Sequence, residues 1–580
     1  MPQTDVYDYT DKLIELLSKE KKIVDISCEF KKINENGDRV RYLTVLLKTY
    51  NLIGDDGVQL KLGKSSIIAE SCRSEGNKFY TKRKFVDALK CYNQSLCFAE
   101  LGTSDWGLVY ANKSAVYFEL KIFLKSLENI ELAKKNWYPA ENFGKLSKRK
   151  AMCEEAIEKK IKQTSAIAFG QKFLKLSYKP NKKLPFIAEC LEMRSSEVFG
   201  RYIITNVDLK PGDIIAIEEP FTKCLLPEHS YVYCANCLRD NFMDLVPCFD
   251  CTSTMFCSEE CRTLGMRKFH KFECAVIDQL NNLSTKILRI AVRTFFEALE
   301  VCGGSLKELN TLIEENDATR SIFDFEHPLT RREVLQAIDA LASNESTRTQ
   351  SDLFQRAGIV ALVTNLLISV NAMKDLLITE SDVAFFRSFV FKQTQISASN
   401  YHGIYNGIFR ASEIDLNPQH GSGSYPFCSL LNHSCAPNVV RISHEGKIVV
   451  TVNRVIAAGG QIFDNYGFHH CLEDVKKRRT SLFNQYMFNC VCEACRNNYS
   501  LFTELPRVEP KLENFLSNDI RELSELNVQH AEDRFNEYCR YLQKLGNQYP
   551  CWEISSLQEC LLRCFTIFTM SEFKLKLCEK

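Results

Sequence analysis

Between residues 234 and 274 the chain carries Cys234 and Cys237, Cys248 and Cys251, Cys257 and Cys261, then His270 and Cys274: two C-x2-C pairs, a C-x3-C and an H-x3-C. Each spacing lets two donors reach one tetrahedral ion from a turn or a single helical step, with bonds of about 2.0–2.3 Å. Eight donors suit two zinc ions. A segment of about 40 residues cannot bury a sufficient core, so the metals would supply its folding energy. Spacing leaves the pairing open. A cross-braced arrangement would use Cys234, Cys237, Cys257 and Cys261 for one ion and Cys248, Cys251, His270 and Cys274 for the other. A second signal, Cys490, Cys492 and Cys495, is a C-x-C-x2-C triad that offers three thiolates and lacks a fourth donor. Cys435, within Asn432-His433-Ser434-Cys435-Ala436-Pro437-Asn438, is a candidate, although spacing alone allows another residue equally well.

The elements that position these donors belong to a 580-residue chain. At roughly 100–200 residues per domain it should make about three to five units. The 74 basic and 73 acidic residues give a net charge of +1, so no global field draws the chain to nucleic acid or an anionic membrane. The N-terminus is charged and interrupted, and no later segment is expected to reach about 18 uncharged apolar positions. Twenty-six cysteines in a long chain of this kind suit reduced thiols and metal ligands better than a disulfide framework. The expectation is a soluble, monomeric protein of the cytoplasm and nucleus.

Residues 8–50 have helix-like apolar spacing (Leu13, Ile14, Leu16, Leu17, then Leu43, Val45, Leu46, Leu47), and Gly54, Asp55, Asp56 and Gly57 break it. From Ile67, small and aromatic residues fall at helix-hairpin positions: Gly76, Tyr80, Phe85, Ala88 and Tyr92. The pattern returns 38 residues on, with Ser114, Phe123, Ser126, Leu127 and Ile130 in register with Gly76, Phe85, Ala88, Leu89 and Tyr92. This resembles a tetratricopeptide (TPR) repeat lengthened by about four residues, with a weaker third copy through residues 144–157. Residues 201–220 read as a β-hairpin turning at Pro211-Gly212. Residues 275–395 are helical, 425–467 return to short strands, and 501–580 are helical.

Asn432-His433-Ser434-Cys435, Asn465-Tyr466-Gly467 and the segment Gln485–Cys495 resemble the core motifs of SET-domain protein lysine methyltransferases. The finger inserted before them is similar to the MYND finger, a protein-binding module. The order of motifs resembles the SET and MYND domain family, in the branch with TPR helices before the SET domain. The resemblance implies an α+β multidomain protein: an N-terminal helical segment (1–60), TPR-like repeats (66–165) and a β-rich SET domain with a post-SET zinc site (185–500). The SET domain is split by the MYND finger (234–274) and a helical insertion (275–395), and a helical C-terminal region (501–580) follows. It also implies that Cys435 completes the third zinc site with Cys490, Cys492 and Cys495.

The reaction so implied is methyl transfer from S-adenosylmethionine (SAM) to the ε-amine of a lysine in a protein, histone or non-histone. By the resemblance Tyr466 supplies a hydroxyl at the transferred methyl and Tyr486 lines the lysine channel. Gly200 and Arg201 approach the SAM carboxylate, Asn432 and His433 hold its adenosine and amino-acid portions, Phe488 covers the adenine, and Asn400 matches a further SAM-contacting asparagine. Two departures stand out. Gly200-Arg201 is followed by Tyr202 rather than a second glycine, and Asp464-Asn465 precede Tyr466 where a small Ser or Cys is common. The alternative is an adaptor, a catalytically weak SET scaffold that joins partners through MYND and TPR surfaces. On the TPR helices, Arg73, Asn77, Asn112, Lys145 and Arg149 resemble the carboxylate clamp that holds the acidic C-terminus of heat-shock chaperones. The basic run Lys476–Arg479 reads as a solvated helix face.

Overall fold

The computed structural model describes residues 7–54, 63–405 and 419–578. Asp55, Asp56 and Gly57 of the Gly/Asp break lie outside the described residues, as do residues 1–6 and 579–580 of the terminal regions.

Three helices open the chain, Tyr7–Lys19, Ile23–Lys31 and Asn36–Thr49. Their apolar stripe is buried at Leu13, Leu17, Val40, Leu43 and Leu47. It does not close on itself: these helices share one core with the insertion helices Lys286–Val301, Gln350–Ile368 and Glu380–Asn400. Helix Gln350–Ile368 is long and apolar enough to cross a membrane by length and composition, although Asp352 and Arg356 keep it short of 18 uncharged positions. Most of it is buried here, because a helix apolar on nearly every face must be covered on several sides, and the N-terminal helices supply one of them. The approach is close at Gly37, where a Cβ would lie 2.8 Å from the Ala384 carbonyl oxygen.

Helices Ser66–Thr81, Phe85–Phe98, Ser104–Glu119 and Phe123–Lys135 form two antiparallel hairpins, and the weak third copy is the single helix Phe143–Glu158. The small residue at Gly76 lets Tyr92 pack against the first helix, since a Cβ there would meet the ring at 2.5 Å. The hairpins dock on the finger. Met243, Leu245 and Met255 of the finger join the apolar core of the repeats. Around that seam Lys64 donates to the carbonyls of Cys97, Cys248 and Cys251 at 2.7–2.9 Å, and Asn93 to those of Tyr231 and Met243.

Twelve strands occur among the described residues: β1 Leu191–Ser196, β2 Gly200–Thr205, β3 Ile214–Glu218, β4 Thr222–Leu225, β5 Val246–Pro247, β6 Met255–Phe256, β7 Tyr401–Tyr405, β8 Gln419–Ser424, β9 Asn432–His433, β10 Val439–His444, β11 Lys447–Val452 and β12 Phe463–Asp464. They form small sheets in the orders β1-β2, β10-β11-β3, β4-β8-β7, β12-β9 and, within the finger, β5-β6. The hairpin expected over 201–220 does not form. β2 turns back on β1, with Ser196 opposite Gly200, while β3 pairs with β11 in another sheet. The link between β2 and β3 instead crosses between sheets, and Leu209 bridges to Ile456 on the way. The C-terminal helices Glu513–Ser524, Val528–Leu545 and Trp552–Phe568 cover the outer face of β3, β10 and β11 at Ile214, Ile442 and Val449.

Candidate active site and metal centres

Three groups of four donors come together, each with its ligand atoms within 4.8 Å of one another. They are Cys234, Cys237, Cys257 and Cys261; Cys248, Cys251, His270 and Cys274; and Cys435, Cys490, Cys492 and Cys495. The finger is therefore cross-braced, one pair from each half meeting one pair from the other. Sulfur separations are 3.5 Å for Cys237–Cys257, 3.7 Å for Cys248–Cys274 and 3.6 Å for Cys435–Cys495, and His270 Nε2 lies 3.5 Å from Cys251 Sγ. Four soft donors at the edges of a tetrahedron this size suit zinc. The third group lies beneath the rest of the site. Its sulfurs pack with Leu482, Ala494 and, from the side, Tyr466, Tyr486 and Phe488.

Parallel pairing of β9 with β12 sets Asn432 beside Phe463 and His433 beside Asp464, which brings the Asn-His-Ser-Cys segment against Asn465-Tyr466. His433 links the metal group to the tyrosine. Its Nδ1 accepts the Tyr466 backbone N–H at 3.0 Å, which leaves Nε2 protonated and 3.3 Å from Cys435 Sγ. Burial pushes its imidazole down to about 4, so the ring is neutral. The Tyr466 hydroxyl donates to the Leu431 carbonyl at 2.8 Å, and the Tyr466 and Tyr486 rings lie 4.8 Å apart. Burial raises both phenols, that of Tyr486 up to about 12, so neither is a base near neutral pH.

A cleft of about 1460 Å³ contains Gly200, Arg201, Asn400, Asn432, His433, Tyr466, Tyr486 and Phe488 in its lining. Gly200 holds φ +60°, and a Cβ there would meet nothing within 4 Å, so the turn is open towards the cleft. Asn432 ties that turn down, donating to the carbonyls of Phe199 and Arg201. Arg201 stands differently from the sequence expectation. Its guanidinium donates to the carbonyls of Thr319, Arg320 and Ala340, so it braces the β2 turn against the insertion rather than pointing freely at a carboxylate. The Asn400 amide is similarly engaged with Ala342 and Ile396, both at 2.9 Å.

A second cleft of about 970 Å³ opens between the strands and the C-terminal helices. Tyr401, His402, Tyr405 and Arg441 line it on the strand side, and Ile520, Ser555 and Leu562 on the helical side. Ser399, Ser429, Tyr466 and Tyr486 line both clefts and form the wall between them. No spaced motif in the chain singles out Ser399, His402, Ser429 or Arg441. His402 and Arg441 reach the wall on β7 and β10, Ser399 at the end of helix Glu380–Asn400, and Ser429 on the short turn Cys428–Leu430.

On the repeats, Asn77 Oδ1 accepts from Asn112 and from Tyr92, Arg149 donates to Ala111 O and Ser114 Oγ, Arg73 lies 3.7 Å from Glu70, and Lys145 is exposed. Asn77 and Asn112 are thus together, with part of their hydrogen-bonding capacity already used.

Strands pinned over a four-cysteine group, a tyrosine pair on the wall of an open cleft, and a finger and helices inserted between the strands define a SET domain of the SET and MYND type. The SET domain family matches residues 200–467, and the chain is distantly similar to protein-lysine methyltransferases of the SET and MYND type. It is 23% identical to the human protein-lysine N-methyltransferase SMYD4 over 561 residues, which cover 77% of this chain and 69% of that one. The mouse protein of the same name is 24% identical, with 75% and 68% covered. An Arabidopsis thaliana histone-lysine N-methyltransferase, ASHR1, is 25% identical over 308 residues, covering 53% of this chain and 55% of its own.

Proposed function

We propose that the protein transfers a methyl group from SAM to a lysine ε-amine of a protein substrate. The observation that carries this reading is the shared wall: Tyr466 and Tyr486 line both clefts, so a cofactor in the first and a lysine entering through the second would meet at one pair of phenols. SAM, held along Gly200, Asn400, Asn432, His433 and Phe488, would supply an electrophilic sulfonium methyl. The Tyr466 proton is committed to Leu431, which leaves the lone pairs of its oxygen as the free side to face partial positive charge. Tyr401, Tyr405 and Tyr486 surround the lysine path with aromatic surface, and loss of water there lowers the amine pKa so that a neutral nucleophile is available. The three zinc sites are structural in this reading, because each has four protein donors and leaves no open position.

Calorimetry with SAM, followed by a methylation assay on a protein extract comparing wild type with Tyr466→Phe, tests the proposal. Micromolar SAM binding and Tyr466-dependent methylation are expected. SAM binding with no such methylation would leave the adaptor as the better reading.

A further inference from the structure

Behind the tyrosine pair a chain of polar groups crosses the wall from the second cleft to the first. Its centre is Arg441 on β10. The guanidinium Nε lies 2.7 Å from Asp464 Oδ2, one terminal nitrogen donates to the Asn465 carbonyl at 3.3 Å, and the other to His402 Nδ1. His402 in turn meets Ser429 Oγ through Nε2 at 3.4 Å, and the single Ser429 hydroxyl proton faces the carbonyls of Tyr425 at 2.8 Å and Asn400 at 3.1 Å. Arg441 and His402 line the second cleft, Asn400 lines the first, and Ser429 lines both.

Donor and acceptor roles along this chain are fixed. A guanidinium carries five N–H donors and no acceptor, so His402 Nδ1 must accept, its proton must sit on Nε2, and that proton must point to Ser429. A histidine at the edge of a lysine path invites a role as the base that takes the lysine proton. The geometry argues against it. The only basic lone pair of His402 is already occupied by Arg441, and a second proton there would set an imidazolium against a guanidinium.

We infer that Arg441 is a positioning residue for Tyr466: it ties Asp464 and the Asn465 carbonyl, immediately before that tyrosine, to His402 and so to the wall between the clefts. A carboxylate as ion partner and two hydrogen-bond acceptors, on two strands and a turn, converge on one planar guanidinium, which only arginine supplies. The acidic residue at 464 is half of the device. A small residue there would leave the guanidinium without its ionic partner. An error of about 1 Å in the placement of a reacting group costs on the order of 10²-fold in rate, which sets the expected size of the effect.

This inference rests on the methyltransferase reading for its rate effect but not for its geometry, so the test has two arms. In the first, Arg441→Lys, which keeps the charge and loses the fork, and Arg441→Met are compared with wild type for kcat, KM of the protein substrate and SAM affinity. Both variants should lose about 10- to 100-fold in kcat while SAM affinity stays within about twofold. In the second arm the chain is labelled with 3-fluorotyrosine, and the Tyr466 resonance, assigned by its absence in Tyr466→Phe, is followed in each variant. It should shift or broaden in both, with the three-zinc content and melting temperature close to wild type. A Tyr466 resonance at its wild-type position in Arg441→Lys overturns the inference, as does a kcat within twofold of wild type. If the wild type methylates nothing, the functional reading fails, and the resonance alone decides the role of Arg441.

Discussion

Asp244 of the finger lies 3.2 Å from the amine of Lys113, a side chain with no exposed surface on the third repeat helix, and 3.3 Å from Lys125. Burial pushes the Lys113 amine down in spite of this partner. Burial also raises the Asp244 carboxyl, but the two lysines outweigh it and bring it below the usual carboxylate range. The two shifts weigh the pair with opposite signs. The geometry favours a charged pair, because the Lys113 amine is also hydrogen-bonded to Asn93 Oδ1 at 3.0 Å and Asp244 accepts from Asn129.

Removing one partner of a buried pair strands the other, at a cost of about 3–5 kcal/mol. Asp244→Ala should therefore loosen the repeats from the finger. Limited proteolysis should cut the region between residues 63 and 158 sooner than in wild type, and a chelator should strip the two finger zincs faster while the third is retained. Identical digestion and zinc-release curves would show that the seam is held by its apolar contacts alone.

The metal sites make a separable prediction. Metal analysis should return three zincs per chain. Cys435→Ser should lose one and also weaken SAM binding at least tenfold, because His433 hangs between Cys435 and Tyr466. Cys248→Ser should lose one zinc with SAM affinity within about threefold, since its group lies in the finger. Equal effects of the two variants on SAM affinity would mean that the third site does not support the cleft.

Glu218 gives a pH signature. It is buried at the end of β3 and accepts the backbone N–H groups of Phe427 and Cys428 at 2.8 and 2.9 Å, capping the turn that leads to Asn432. Burial pushes its carboxyl up to about 7. A carboxyl raised above its unfolded value binds a proton more tightly in the native state, so its contribution is full below pH about 4.5 and is lost as pH rises through about 7. The loss is of the order of 3 kcal/mol. Melting curves of wild type and Glu218→Gln between pH 5 and about 7.5 should converge as pH rises, the variant losing less stability across that window. Parallel curves would place the ionisation of Glu218 outside it.

How much of this could be read in the chain depends on the range of each contact. The eight donors of the finger are legible because each ligand pair lies within five residues, whereas which pairs share an ion is set by the fold, and the tyrosines are legible because they sit in short ordered motifs. Arg201 was placed at the correct turn, but its direction depends on carbonyls at 319, 320 and 340, more than a hundred residues away. The N-terminal helices show their apolar stripe in the sequence, yet nothing in that stripe says that its partner is the insertion. Pro211-Gly212 does turn, with Gly212 at φ +91°, but β1 has already taken the edge of β2 that a hairpin would need.

Gly200 distinguishes a turn requirement from a ligand requirement. At φ +60° any L-residue pays roughly 1–2 kcal/mol, so Gly200→Ala should cost about that much in stability. The added methyl would meet no protein atom within 4 Å, because the space in front of it is the cleft itself. A larger side chain pays the same backbone cost and then fills that space. Gly200→Leu should thus melt close to Gly200→Ala but bind SAM at least tenfold more weakly, as read by calorimetry. If Gly200→Leu keeps wild-type affinity, the cofactor does not pass this turn, and the assignment of the first cleft to SAM is wrong.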